Sequence, residues 1–302
     1  MLTNICAPFL QCDIRYDSFG ASLVRSLIPN IRNSLLNNDT NAFNSLPKLV
    51  KLSIDNLKEE GLNLVTDEIL PELTELYLQD DSFIDLFCET ISSVPARYRD
   101  DVLVDSISRN SMSNDYRLRI LAASSISLVR RYNRVISHFR ALAADIHPSV
   151  RITIIKSLSN CNFDEPIINS IVNDAIHDVN CEVKNSIAEV IGYIAPHLTD
   201  QYIQLLENPE TQNNALLCFN VMVTSSGFST FFDIVIKIIE KNPDKVFSAI
   251  FHAAPFIDPC EHRLLYMCAK KLRHNESFIR NLFHFTRYIM FESLPPPINI
   301  QK

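Results

Sequence analysis

Residues 145–151 read Asp145-Ile146-His147-Pro148-Ser149-Val150-Arg151, and residues 178–184 repeat the pattern as Asp178-Val179-Asn180-Cys181-Glu182-Val183-Lys184. In both, an Asp precedes a cation by six positions, with Val directly before the cation, and an apolar stripe of helical period begins at that Val. Val183, Ile187, Val190, Ile191 and Ile194 follow the spacing of one face of an amphipathic helix. The stripe recurs upstream as Val150, Ile154 and Leu158, as Leu118, Leu121, Ala122, Ser125 and Val129, and as Ile84, Phe87, Cys88 and Ile91. Its starts at 84, 118, 150 and 183 lie 34, 32 and 33 residues apart. A period of that size is the mark of stacked helical hairpins.

The other helix of each period is visible between these stripes, as Val135, Ile136, Phe139, Leu142 and Ala143, then Ile167, Ile168, Ile171, Val172, Ala175 and Ile176. Pro148, Pro209 and Pro243 suit the first turn of a helix, and Asn208 and Asn242 suit its N-cap. The spacing predicts further pairs at 199–208 with 210–224, at 229–241 with 243–256, and at 260–272 with 275–291. Residues 1–95 form an irregular N-terminal helical part in which Pro29, Pro47 and Pro71 predict kinked or shortened helices. Residues 96–292 form the regular array, and 293–302 a Pro-rich tail.

Composition agrees. Four glycines in 302 residues, none close to another, exclude a P-loop and a GxGxxG fingerprint and disfavour sheet architectures with many tight turns. The class is all-α, arranged as a right-handed α-solenoid of about seven hairpins by the period. The cysteines, with no CxxC pair, read as reduced and buried. The N-terminus lacks a secretory pattern and no apolar run is long enough to span a membrane, so a cytoplasmic or nuclear protein is expected, with no membrane partner.

The net charge of -7 is unevenly placed, since residues 96–160 form a basic island that holds 11 Lys/Arg against 5 Asp/Glu. Nine of the cations are Arg97, Arg99, Arg109, Arg117, Arg119, Arg130, Arg131, Arg134 and Arg140. Arginines in such a block suit either a docking surface for an acidic protein segment or solvated and internally paired helix faces. In a stacked array Arg117, Arg119 and Arg151 fall along one edge of turns and Arg130, Arg131 and Arg134 along the other, while Asp100 reads as an exposed acid. Nucleic acid is disfavoured by the acidic whole and the few aromatics within the island.

The Asp-to-cation turns resemble those of the HEAT repeat, an armadillo-like helical family in which such residues form ladders between stacked repeats. The resemblance assigns a ladder role to Asp145, Arg151, Asp178 and Lys184 and a partner-facing or ladder role to Arg117 and Arg119. In the turn before Leu118-Arg119 the Asp position holds Ser113, with Asp115 as an irregular substitute. Within the family the sequence is most similar to the scaffold (A) subunit of protein phosphatase 2A and related phosphatase regulatory subunits. That implies a non-enzymatic scaffold, without cofactor, whose partners are a phosphatase catalytic subunit and a variable regulatory subunit. A transport or cytoskeletal adaptor is the alternative of the same class. From another class, His177-Asp178 resembles the core dipeptide of all-α HD metal-dependent phosphohydrolases, with His138 or His147 and Asp200 or Asp233 as further ligands. Cys260, His262, Cys268 and His274 lack paired zinc-ligand spacing, and no GxSxG or HExxH motif occurs.

Overall fold

The computed structural model describes residues 17–37, 39–159, 161, 165–194, 198–224, 236–238 and 241. Among the described residues all regular structure is helical, as the composition predicts. The pairs expected at 243–256, 260–272 and 275–291, most of 229–241, the Pro-rich tail, Asp233 and the Cys260 cluster lie outside the described residues. The chain divides into two compact units, Met1–Asn162 and Phe163–Lys302.

The first unit contains α1 (Asp17–Leu36), α2 (Thr40–Leu57), α3 (Glu59–Leu64), a π turn (Val65–Ile69) and α4 (Leu70–Gln79). It continues with α5 (Phe83–Ser93), α6 (Ala96–Ser111), α7 (Tyr116–Ile126), a 3-10 turn (Tyr132–Arg134), α8 (Ile136–Ala143) and α9 (Pro148–Leu158). From α4 onward each helix packs on its sequence neighbour, and α5 on α7, α7 on α9 and α6 on α8, so alternate helices form two layers. The core between them holds Phe87, Ile91, Leu103, Ile107, Leu121, Ile126, Phe139, Leu142, Val150 and Ile154, all buried. The second unit repeats this plan with α10 (Glu165–Ile176), α11 (Cys181–Ile194), α12 (Thr199–Glu207) and α13 (Gln212–Thr224), in which α11 packs on α13 and α10 on α12. Its last pair is tied by Tyr202, whose buried hydroxyl donates to the Ala215 carbonyl at 2.6 Å.

The helices that carry Pro29 and Pro47 are not shortened, whereas the run through Pro71 is interrupted. Pro29 and Pro47 lie inside α1 and α2, which still run 20 and 18 residues. Continuous apolar stripes, Val24, Leu27, Ile31 and Leu35 on α1 and Leu46, Leu49, Val50, Ile54 and Leu57 on α2, bury against their neighbours and outweigh one missing hydrogen bond each. Pro71 falls in the first turn of α4, directly after the π turn that interrupts the run from α3. A wider π turn removes the demand for a proline N–H and relieves its clash with the preceding turn.

Three other details depart from the sequence reading. The buried face of α5 is Phe83, Leu86, Phe87, Thr90 and Ile91, one position off the Ile84 stripe, because Phe83 stacks on Phe43 of α2 with ring centroids 5.7 Å apart. Pro209 sits in a turn rather than in a helix, and α13 begins at Gln212. Cys181 is exposed, since it opens α11, whereas Cys218 is buried and its thiol is pushed up to about 11 by desolvation.

The joint between α2 and α3 is unusually tight. Lys58 adopts a positive φ of 53°, and a Cβ on Gly61 would lie 2.2 Å from the Ser53 carbonyl oxygen. Glycine is required here by close approach of two backbones. Gly61→Ala should lower the stability of the chain by about 2 kcal/mol, the scale of overpacking a rigid contact. Chemical denaturation of the variant beside the parent measures this, and an unchanged midpoint would mean that α3 moves away without cost.

Candidate functional site

The geometry that repeats along the chain lies in the turns between helices. Among the short polar side chains that accept the backbone N–H two residues on, five recur once per period: Asp80 from Ser82 (2.9 Å), Ser113 from Asp115 (3.1 Å), Asp145 from His147 (2.8 Å), Asp178 from Asn180 (2.8 Å) and Asn208 from Glu210 (3.0 Å). Successive positions are 33, 32, 33 and 30 residues apart. Any small oxygen acceptor makes this turn, so Ser113 and Asn208 fill the place that sequence reading reserved for Asp. Asp115, read as the substitute, instead caps α7 by accepting from the Arg117 N–H.

Six residues after the acceptor, arginine reaches back over its own turn. Arg119 Nη1 donates to the Ser113 and Asn114 carbonyls at 2.9 and 3.1 Å, and Arg151 Nη1 donates to those of Asp145 and Ile146 at 2.7 and 3.3 Å. Arg119 also reaches forward, giving Nε and Nη2 to the two carboxylate oxygens of Asp145 at 2.6 and 3.0 Å. The pair is bidentate and largely buried, with side-chain exposures of 12% and 7%. Burial pushes the Asp145 carboxyl up, but the Arg119 guanidinium and the His147 N–H outweigh it and hold it below the ordinary value. One turn on, Lys184 meets Glu210 at 2.8 Å as a single point contact, while Asp178 holds its turn through Asn180. Thus the structure brings Arg119 together with Asp145, Arg151 with the backbone of the Asp145 turn, and Lys184 with Glu210.

Arg117 points the other way, donating Nη1 to the Leu78 carbonyl at 2.6 Å with Nη2 3.3 Å from Asp115. Beside it the Tyr116 ring stacks on His147 at 3.9 Å, tying the turn of α6 and α7 to that of α8 and α9.

Much of the basic island is turned onto the protein itself. Arg99 donates to the Ser92 and Val94 carbonyls, Arg109 to that of Asp105, and Arg134 pairs with Asp101 at 2.5 Å. The expectation of an exposed Asp100 is corrected: it is 8% exposed, and its two oxygens accept the N–H groups of Arg130 and Arg131 at 3.0 and 3.2 Å, closing the connection from α7 to α8. A connection that leaves a helix without its own cap needs such an acceptor.

Four large apolar side chains stand exposed in the same turns. Ile146 and Val179, each directly after its turn-closing Asp, are 91% and 98% exposed, and Met112 and Tyr116 are 75% and 39% exposed. Two of the nominated metal ligands are otherwise engaged. His138 sits between the Ser108 and Ser111 hydroxyls at 3.2 and 2.8 Å, and His177 meets the Asn173 carbonyl at 2.8 Å. Among the described residues no three His, Cys, Asp or Glu side chains converge as a metal site would require, and no helix is long and apolar enough to cross a membrane.

A comparison with known families finds no family whose pattern matches the chain, and a comparison with curated proteins finds no significant relative.

Removing one partner of the buried pair should be costly. Asp145→Ala and Arg119→Ala are each expected to destabilise by about 3 kcal/mol, with the double variant costing much less than the sum. The sign of the pH effect follows from the depressed carboxyl. Its contribution is present above the unfolded-state value near 3.9 and is lost as pH falls through the lower folded value. Denaturation from pH 7 to pH 3 should therefore show the Asp145→Ala deficit shrinking in acid, and a constant deficit would contradict the charged pair.

Proposed function

We propose that the chain is a non-enzymatic protein-binding scaffold or regulatory subunit, a right-handed α-solenoid of HEAT type that offers its turns to protein partners in the cytoplasm or nucleus. Support comes from the two-layer packing within each unit, the turn acceptors recurring near every 33 residues, and the arginines folded over those turns. The observation that carries the reading is Ile146 and Val179, two apolar side chains at the same position of consecutive turns and almost wholly in water. Each comes directly after an Asp that fixes the turn, so the apolar tip is held rather than free to fold inward.

The partner class is a serine/threonine protein phosphatase complex, its catalytic subunit and a variable regulatory subunit, with a transport or cytoskeletal adaptor as the competing member of the same class. The test is capture of purified phosphatase catalytic subunit by the immobilised full chain. Ile146→Asp with Val179→Asp should leave thermal melting unchanged and weaken capture more than about tenfold, as loss of buried anchors does. Capture that is insensitive to both would remove the turns from the binding surface.

The non-enzymatic part is tested separately. Elemental analysis of the purified chain should find no stoichiometric metal. About one iron, manganese or zinc per chain, lost in His177→Ala, would replace the scaffold with a metal-dependent phosphohydrolase.

A further inference from the structure

Three turns of the first unit form one continuous surface: 78–82, 112–117 and 145–148. The first two are joined by Arg117 Nη1 on the Leu78 carbonyl, and the last two by the Arg119–Asp145 pair and the Tyr116–His147 stack. Between the first two lies an open depression lined by Gln79, Asp80, Asp81, Asp115, Tyr116 and Arg117. Its single cation is drawn inward by the Leu78 carbonyl and by Asp115. Three carboxylates therefore face one guanidinium that is already engaged.

Two of these carboxylates, Asp80 and Asp115, are favoured as anions. Asp80 is kept below the usual carboxylate range by the Ser82 backbone N–H and then by the Ser82 hydroxyl, and Asp115 by the Arg117 N–H and guanidinium. Beside the depression, Tyr116, Met112 and Ile146 expose apolar surface. Acid and apolar groups thus adjoin, whereas Arg99, Arg109, Arg119, Arg134 and Arg151 of the neighbouring sequence are bound to carbonyls or carboxylates. The surface has the opposite sign to the one that the arginine-rich sequence predicts.

We propose that this surface binds a positively charged protein segment, seating a lysine or arginine among Asp80, Asp81 and Asp115 and an adjacent aliphatic side chain over Met112 and Ile146. A long cationic side chain fits both halves, because its methylene stem packs along the Tyr116 ring while its head stays among the carboxylates. The inference rests on the reading of the turns as partner-facing and adds the chemistry of the partner. A second acidic groove, lined in part by Asp67, Asp101 and Asp105 between α3–α4 and α6, serves as a control, since none of the exposed large apolar side chains borders it and Asp101 is paired with Arg134.

The experiment measures binding of a short fluorescent peptide of lysine, leucine and glycine to the full chain at physiological salt, beside a peptide with glutamate in place of lysine. Asp80→Asn with Asp81→Asn keeps the turn acceptor and removes charge; it should weaken the lysine peptide more than about tenfold, while Asp67→Asn with Asp105→Asn should change it by less than about twofold. Ile146→Asp should weaken the lysine peptide as well, through loss of its apolar contact. Equal loss from both acidic pairs would reduce the effect to diffuse electrostatics and overturn the assignment, as would preference for the glutamate peptide or no binding of the lysine peptide. Self-association of the chain that Asp80→Asn with Asp81→Asn abolishes would also overturn it, in favour of a second copy as occupant. Asp81→Asn alone, at an exposed position, repeats the test without touching the turn. If the lysine peptide binds as expected while phosphatase capture is absent, the surface assignment stands and the partner class falls. If Ile146→Asp abolishes phosphatase capture while the lysine peptide ignores Asp80 and Asp81, the reverse holds.

Discussion

The bidentate contact between Arg119 and Asp145 governs what the turns of the first unit can do. A guanidinium and a carboxylate that are both nearly excluded from water must meet in good geometry or cost several kcal/mol. Here the fit is completed on both sides, since Arg119 also holds two carbonyls of its own turn and Asp145 also holds the His147 N–H. One pair thereby fixes two turns and the offset between them, and the Tyr116–His147 stack follows from that offset. The exposed Ile146 is the residue between the two groups that Asp145 and His147 bring to the pair and the stack, which explains why a large apolar side chain is held outward instead of collapsing onto the helices.

Arginine enrichment in a sequence does not translate into a positive surface. In the stretch between α5 and α9 several guanidinium groups serve as multivalent donors to backbone carbonyls left over at helix ends and in turns, as Arg99, Arg119 and Arg151 show. This is a role that lysine fills poorly, because it lacks the planar fork. Asp100 does the complementary work for N–H groups at the start of the connection after α7. With these groups satisfied internally, the charge left at the turn edge is that of Asp80, Asp81 and Asp115, and this is why the proposed partner segment is cationic.

The N-terminal helices show a different balance. Between α2 and α4 the chain accepts a positive φ at Lys58, a backbone contact at Gly61 and a π turn before Pro71. Each is a local cost tolerated because the flanking stripes bury Leu57, Leu64, Val65, Ile69 and Leu73. Ion pairs of Arg25 with Glu68 and of Arg32 with Glu72 lie at the rim of the same packing and, being partly exposed, add little to it.

The sequence by itself determined the all-α class and the places where α7, α9 and α11 begin, because those follow from local quantities: scarce glycine, a stripe of helical period and, for α9 and α11, an Asp six residues before a cation. It also marked Arg119 and Asp145 as special. Only the structure decided that Ser113, which the sequence already placed at the Asp position, and Asn208 close their turns as Asp145 does, since the turn needs an oxygen acceptor and not a particular residue type. The burial of Asp100 and the inward reach of Arg117 to Leu78 were likewise settled by contacts between residues some 30 to 40 positions apart, which no local pattern encodes. The same holds for the sign of the exposed turn surface: charge counts are additive along a sequence, but the field at a surface depends on which charges the packing has already paired.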